Sequence, residues 1–227
     1  MTVSDYGQYF FSEVNIMGNN LTELVFILDK SGSMYDLRSD TIGGFNSMLD
    51  KQKGKEGNVF VTTVLFNDEF KRVHDRIDIG EIRPMTERDY CPCGCTALLD
   101  AMGDTIKHIE NIHRYIRKED VPDNTLFVII TDGMENASSK YNGREIKRMV
   151  KRKKDEGWEF LFLGANIDAI AEAERYGIMD DRAVTYRCDS EGTRLNFDAV
   201  GEVVKSVRAD GAVPTGWKRK IEKHKGK

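Results

Sequence analysis

The chain has 227 residues, 40% of them hydrophobic and 32% charged, with a formal net charge of −4. This length suits one medium domain with short extensions, and the ordinary apolar content excludes a chain that is disordered throughout. The mildly acidic balance does not mark a nucleic-acid binder, and no run approaches the ~20 apolar residues that a membrane-spanning helix needs.

The first residues hold Asp5 but no early Lys or Arg, and no long apolar segment follows. No secretory signal is therefore read, and the expected location is the cytoplasm. The cysteines agree with a reducing compartment, because Cys91, Cys93 and Cys95 are crowded into one stretch rather than spread as a disulfide framework. Charge is uneven along the chain. Between Trp217 and Lys227 stand six Lys or Arg and one Glu, so the rest is more acidic than the whole. A short basic tail of this kind is expected to be solvated.

In chain order, residues 1–20 read as a lead-in in which Tyr9, Phe10 and Phe11 can dock on the body, with a turn at Gly18-Asn19-Asn20. Residues 21–209 read as the domain, and 210–227 as the tail. The run from Leu24 to Leu28 is continuously apolar, as in a parallel strand buried on both faces, and it stops at Asp29. Ile42, Phe45 and Leu49 recur at helical spacing. Val59 to Phe66 and Phe70 to Ile79, separated by a polar turn, read as an antiparallel hairpin with Val73, Ile77 and Ile79 on one face. Residues 80–95 are irregular. A long helix starts at Thr96, with Leu99, Met102, Ile106 and Ile109 on its buried stripe. A strand from Thr125 to Thr131 is as apolar as the first. A helix over residues 143–156, a strand at Phe160 to Leu163, a helix ended by Gly177, a strand at Ala183 to Tyr186 and a helix from about Asn196 to Ala209 complete the pattern. Such alternation predicts an α/β fold, a mostly parallel sheet with helices on both faces.

Chemistry concentrates at strand ends. Asp29 closes the first strand, and Ser31 and Ser33 follow at alternate positions. One carboxylate and two hydroxyls make a hard, oxygen-only set suited to Mg²⁺. Thr96 stands just before a helix, and Asp132 just after a strand. Asp29-x-Ser31-x-Ser33, with Thr96 and Asp132 in that order, resembles the metal-ion-dependent adhesion site of von Willebrand factor type A domains.

The resemblance implies a three-layer, doubly wound, Rossmann-like sheet of six strands in the order 3-2-1-4-5-6, with strand 3 antiparallel at an edge. It implies that Asp29, Ser31, Ser33, Thr96 and Asp132 hold Mg²⁺, with Mn²⁺ or Ca²⁺ as alternative ions. The function it implies is binding without turnover, in which another protein supplies an Asp or Glu to the metal. It places the chain among the compact cytosolic members found in bacteria and phages. Each residue also has a plainer reading: Ser31 and Ser33 as turn hydroxyls, Thr96 as the N-cap of its helix, Asp132 as a turn former.

Two other classes compete. A strand-end aspartate with Mg²⁺ resembles hydrolases of the haloacid dehalogenase type, but those need a second aspartate where Ser31 stands, and the leaving-group acid is missing. No phosphate-binding loop of the Gly-x-x-x-x-Gly-Lys type occurs. Nucleic-acid association through the tail and the Lys/Arg face from Arg144 to Lys154 is the third reading, without aromatic residues to stack bases. The Cys91-Pro92-Cys93-Gly94-Cys95 stretch departs from the family pattern; free thiols are expected there, with soft-metal or redox chemistry as the alternative. The histidines read as incidental, with His108 and His113 exposed, and Asp100 and Asp104 read as helix-start charges.

Overall fold

A computed structural model describes residues 20–226. The expected docking of Tyr9, Phe10 and Phe11 and most of the Gly18-Asn19-Asn20 turn lie outside the described residues. The elements are β1 (Leu21–Asp29), α1 (Arg38–Asp50), β2 (Asn58–Phe66), β3 (Phe70–Asp78), α2 (Leu98–Tyr115), β4 (Asn124–Thr131), α3 (Gly143–Asp155), β5 (Trp158–Ala165), α4 (Ala169–Arg175), β6 (Ala183–Tyr186), α5 (Ser190–Asp210) and α6 (Arg219–Lys225). The six strands form one sheet in the order β3-β2-β1-β4-β5-β6, parallel except for β3. This is the order and orientation expected.

β1 is central because every one of its side chains is buried. Leu24, Phe26 and Leu28 pack on one face with Phe45 of α1 and Phe197, Val200 and Val203 of α5. Val25 and Ile27 pack on the other with Ile106 of α2, Ile146 of α3 and Ala173 of α4. A strand covered on both sides has no need of alternation, which is why its sequence is a plain apolar run.

The register places the ends of three strands level. Asp29 pairs with Phe66 of β2, and Leu28 pairs with Ile130 of β4. The loops after β1, β2 and β4 therefore leave the sheet at one edge. α1 follows β1 onto one face, whereas α3 follows β4 onto the opposite face. The chain thus opens a crevice between β1 and β4, the switch point where open α/β sheets bind ligands.

Several elements differ from expectation. β3 does not present Val73, Ile77 and Ile79 as one buried row. Its pairing with β2 shifts register twice, and Arg76 has φ +51°. His74 turns inward instead, its Nε2–H donating to the Arg83 carbonyl at 3.0 Å and its Nδ1 facing the Thr63 hydroxyl at 3.0 Å. α5 starts at Ser190, earlier than expected, because Asp189 caps it by accepting from the Gly192 N–H at 2.6 Å. His108 and His113 are half-buried rather than exposed, and face Asp75 at 2.7 Å and Glu23 at 3.4 Å.

The basic tail is not a solvated extension. Its end forms α6, whose Ile221 is buried against the same layer as α5. Trp217 donates its indole N–H to the Asp181 carbonyl at 2.9 Å, and Lys218 reaches Asp180 at 2.6 Å and the Ala183 carbonyl at 3.0 Å. Charge counting missed this because two apolar side chains, Trp217 and Ile221, decide where a mostly cationic segment goes. Ile221→Ala is expected to lower stability by about 2–5 kcal/mol in a urea unfolding series, the usual range for emptying a buried aliphatic site, whereas a solvated tail would give no change.

Candidate metal centre

The site is built where β1 and β4 end. Asp29 is completely buried, and its two carboxylate oxygens are held by different partners. Oδ1 accepts the Ser31 backbone N–H at 2.7 Å, and Oδ2 accepts the Thr131 hydroxyl at 2.6 Å. The Asp29 carbonyl accepts the hydroxyl of buried Tyr90 at 2.5 Å. Asp132 follows β4 and is also buried. Its Oδ1 accepts the Ser33 hydroxyl at 2.6 Å, across 99 positions of sequence. Because Ser33 gives its proton to Asp132, the Ser31 hydroxyl, 3.2 Å away, donates to Ser33. The other oxygen of Asp132, Oδ2, is buried without a hydrogen-bond partner.

Thr96 is brought to the same place by a different device from the one expected. It is not the N-cap of α2; Ala97 holds that position without a side-chain bond. The start of α2 is capped instead from the loop after β4. The Leu99 N–H donates to Glu135 Oε2 at 2.9 Å and the Asp100 N–H to Ser138 Oγ at 3.0 Å. Asn136 brackets Thr96, taking its N–H on Oδ1 at 2.9 Å and returning its own N–H to the Thr96 carbonyl at 3.0 Å. Asp100 is more than a helix-start charge: its carboxylate accepts the N–H groups of Ser139, Lys140 and Tyr141 at 2.9–3.0 Å. The loop after β4 and the start of α2 thus hold each other, and the Thr96 hydroxyl is left free of capping duty.

Gly133 reports the convergence. A Cβ built on it would stand 3.1 Å from Thr96 Oγ1, 3.8 Å from Ser33 Oγ and 4.0 Å from Asp29 Oδ2. Oxygens from the end of β1 and its loop, at positions 29 and 33, and from the segment before α2, at position 96, therefore surround one point on the third loop, at Gly133 next to Asp132. The structure brings Asp29, Ser31, Ser33, Thr96 and Asp132 into one cluster.

The cysteine stretch buttresses the first loop. The Cys93 N–H donates to the Lys30 carbonyl at 2.9 Å, and the Gly32 N–H donates to the Gly94 carbonyl at 3.1 Å. Asn67, after β2, donates to the Cys93 carbonyl at 2.9 Å. Gly94 sits at φ +75°, and a Cβ there would collide with Asp68, so this position needs glycine. The thiols are free and exposed. Among the described residues, no three side chains of His, Cys, Asp or Glu gather as a metal-binding group, so the soft-metal alternative for the cysteines finds no cluster.

Electrostatics follow from burial. Desolvation raises the Asp29 pKa above its ordinary value, against the hydrogen bonds from Thr131 and Ser31, and the nearby Asp132 adds to the rise. Desolvation likewise raises Asp132, against the Ser33 bond. Neither carboxylate forms an ion pair with a Lys, Arg or His among the described residues. Two adjacent buried carboxylates without a counter-charge disfavour their own ionisation, and an oxygen-seeking cation at the point beside Gly133 would relieve both.

No family model and no curated protein sequence matches the chain. Solved structures do match. Proximal thread matrix protein 1 from the mussel byssus superposes with a TM-score of 0.55 at 14% identity, over 81% of this chain and 46% of that one. A von Willebrand factor type A protein from Catenulispora acidiphila gives 0.54 at 13%, over 80% and 42%. The von Willebrand domain of a type V pilus tip protein from Porphyromonas gingivalis gives 0.60 at 11%, over 85% and 98%. The chain has the von Willebrand factor type A fold. It spans under half the length of the mussel and Catenulispora chains, and nearly all of the pilus-tip domain.

Sequence reasoning missed the bracing roles of Thr131, Tyr90 and Asn136, and read Glu135 only as added charge near the site rather than as the cap of α2. Thr131 carried a signal, since a hydroxyl interrupts an apolar strand next to Asp132. Tyr90 carried none, because its role is fixed only by a contact 61 residues away. Thr131→Val is expected to cost about 1–3 kcal/mol in chemical denaturation of the metal-free protein, because it removes the donor to a buried carboxylate oxygen.

Proposed function

We propose that the cluster is a divalent-cation site, and that the domain is a binding module in which the cation takes a carboxylate from a partner protein. The observation that carries this reading is the unpartnered, buried Oδ2 of Asp132, whose other oxygen meets Ser33 at 2.6 Å, together with the Ser33, Thr96 and Asp29 oxygens gathered over the neighbouring Gly133. A buried polar oxygen without a partner is rare and costly, so a ligand at that point accounts for it. The donor set of carboxylates and hydroxyls fits a hard cation such as Mg²⁺, with Mn²⁺ or Ca²⁺ as alternatives. The von Willebrand type A fold supports the reading, since it is shared with a thread matrix protein and a pilus tip protein.

The chain's own residues divide the work. Asp29 and Asp132 supply negative charge; Ser31, Ser33 and Thr96 supply neutral oxygens. Thr131 and the Ser31 N–H fix the Asp29 carboxylate so that its oxygens are presented in one orientation. Tyr90 and the Cys93–Lys30 bond hold the first loop against the sheet. Ser33 is exposed whereas Asp29, Ser31, Thr96 and Asp132 are buried, so the site opens to solvent on the Ser33 side. With so few carboxylates around it, a bound Mg²⁺ would stay electrophilic enough to accept an outside carboxylate in place of water. Nothing in this division of labour requires turnover.

Mg²⁺ is expected to raise the melting temperature, with about 2.7 kcal/mol of added stability at a hundredfold excess over Kd. Gly133→Ala should still fold, since its backbone lies outside the left-handed region and only the Thr96 hydroxyl, 3.1 Å from the new methyl, has to give way, and it should lose the Mg²⁺ response because the methyl occupies the cradle. Asp132→Asn should also lose it while gaining stability in metal-free buffer. A parent protein whose melting temperature ignores Mg²⁺, Mn²⁺ and Ca²⁺ would overturn the reading. Partner capture from a lysate, expected to vanish with chelator and with Gly133→Ala, tests the binding role.

A further inference from the structure

The face of α3 carries a feature that the metal centre does not use. Arg144, Lys147, Arg148 and Lys151 are all exposed and fall at i, i+3, i+4 and i+7, which places them on one helical stripe. None of these four cationic groups has an ion-pair or hydrogen-bond partner among the described residues. Their neighbours are occupied: Arg152 and Lys153 pair with Glu110 at 2.8 and 3.0 Å, and Lys154 donates to the Gly177 carbonyl at 3.3 Å. Of the two acidic residues of α3, Glu145 is spent in the capping box with Asn142, whose N–H it accepts at 2.9 Å, and Asp155, four residues after Lys151 at the far end of the helix, forms no ion pair with it. Between α3 and α4 runs an open groove of about 1080 Å³, lined by Asn142, Gly143, Arg144, Lys147, Arg148 and Arg175, with no acidic and no apolar side chain. Like charges at this spacing repel, so a net-acidic chain maintains here an uncompensated cationic strip.

We propose that this strip is a docking surface for the phosphate backbone of duplex nucleic acid, independent of the metal centre. Charge complementarity names a polyanion, and the groove's composition chooses among polyanions. A protein partner needs apolar or aromatic anchors at the middle of its interface, and this groove offers none. A membrane surface also takes apolar side chains, and the exposed large hydrophobics among the described residues, such as Tyr35, Tyr115 and Met134, lie off α3. Nucleic-acid interfaces are polar and strongly positive. The strip spans seven residue steps, about 10 Å, or about three steps of ~3.4 Å between about four successive phosphates along one strand of a duplex. Guanidinium groups at Arg144 and Arg148 suit bidentate contact with phosphate oxygens, whereas Arg175 is already paired with Glu172 at 3.0 Å. Without aromatics to stack bases, the contact is independent of sequence.

The test is fluorescence anisotropy of the full chain with a labelled 20-base-pair duplex at several salt concentrations. Four phosphate contacts predict a slope of about −3.6 in log affinity against log salt, or about a hundredfold loss from 50 to 200 mM. The triple substitution R144Q/K147Q/R148Q, at exposed positions, should weaken binding at least tenfold and reduce the slope by about 2.7. Substituting Lys220→Gln and Lys223→Gln in α6, adding chelator, or changing the duplex sequence should leave binding unchanged. No duplex binding at 50 mM salt, equal binding by the triple variant, or preferential competition by an acidic polypeptide or by anionic phospholipid vesicles would overturn the proposal.

Discussion

Two carboxylates without a counter-charge, Asp29 and Asp132, stand side by side in the interior at the end of the sheet, and the surrounding structure is arranged to hold them there. Burial alone would drive each towards its protonated form. The protein answers with neutral donors: a backbone N–H and the Thr131 hydroxyl on Asp29, and the Ser33 hydroxyl on Asp132. Those bonds satisfy three of the four carboxylate oxygens. The remaining one, with the Ser33 and Thr96 hydroxyls nearby, defines a point that favours positive charge. An arrangement that is costly when empty and favourable when filled is the physical basis of a ligand site.

Holding that arrangement requires rigidity in loops, which have few packing contacts of their own. Here each loop is tied to another. The loop after β1 is tied to the cysteine stretch through Lys30, Gly32, Cys93 and Gly94, and that stretch is tied to the turn after β2 through Asn67 and Asp68. The loop after β4 is tied to the start of α2 through Glu135, Asn136 and Asp100. Local capping of α2 would have occupied the Thr96 hydroxyl; capping from a distant loop leaves it available. In the same way, the metal-like point is created by contacts between loops rather than by any one of them.

The carboxylate cluster and the α3 strip draw on different physics. The candidate metal centre is buried, its carboxylates are held by neutral hydrogen-bond donors, and it opens to solvent on the Ser33 side. The α3 strip is exposed and shielded mainly by water and salt, so its influence extends about a Debye length and is steeply ionic-strength dependent. Because α3 begins after the loop that carries Asp132, the start of the strip lies towards the same edge of the sheet as the cluster.

The sequence by itself determined the strand and helix alternation, the central place of β1, the order of the sheet and the five polar residues that meet at its end. It could do so because these features rest on local regularities: apolar runs for two-sided burial, helical spacing for one-sided burial, and a motif resemblance at strand ends. Only the tertiary structure decided that Thr131 and Tyr90 brace Asp29, that Glu135 and Asn136 release Thr96, that His74 turns inward at the irregular pairing of β3, and that Trp217 and Ile221 bring a cationic tail onto the body. Each of these is a contact between residues far apart in sequence, where one hydrogen bond or one buried ring outweighs local composition. It also decided which of the many Lys and Arg on α3 keep their charge uncompensated, because pairing depends on whether a carboxylate such as Glu110 stands within reach across a helix interface.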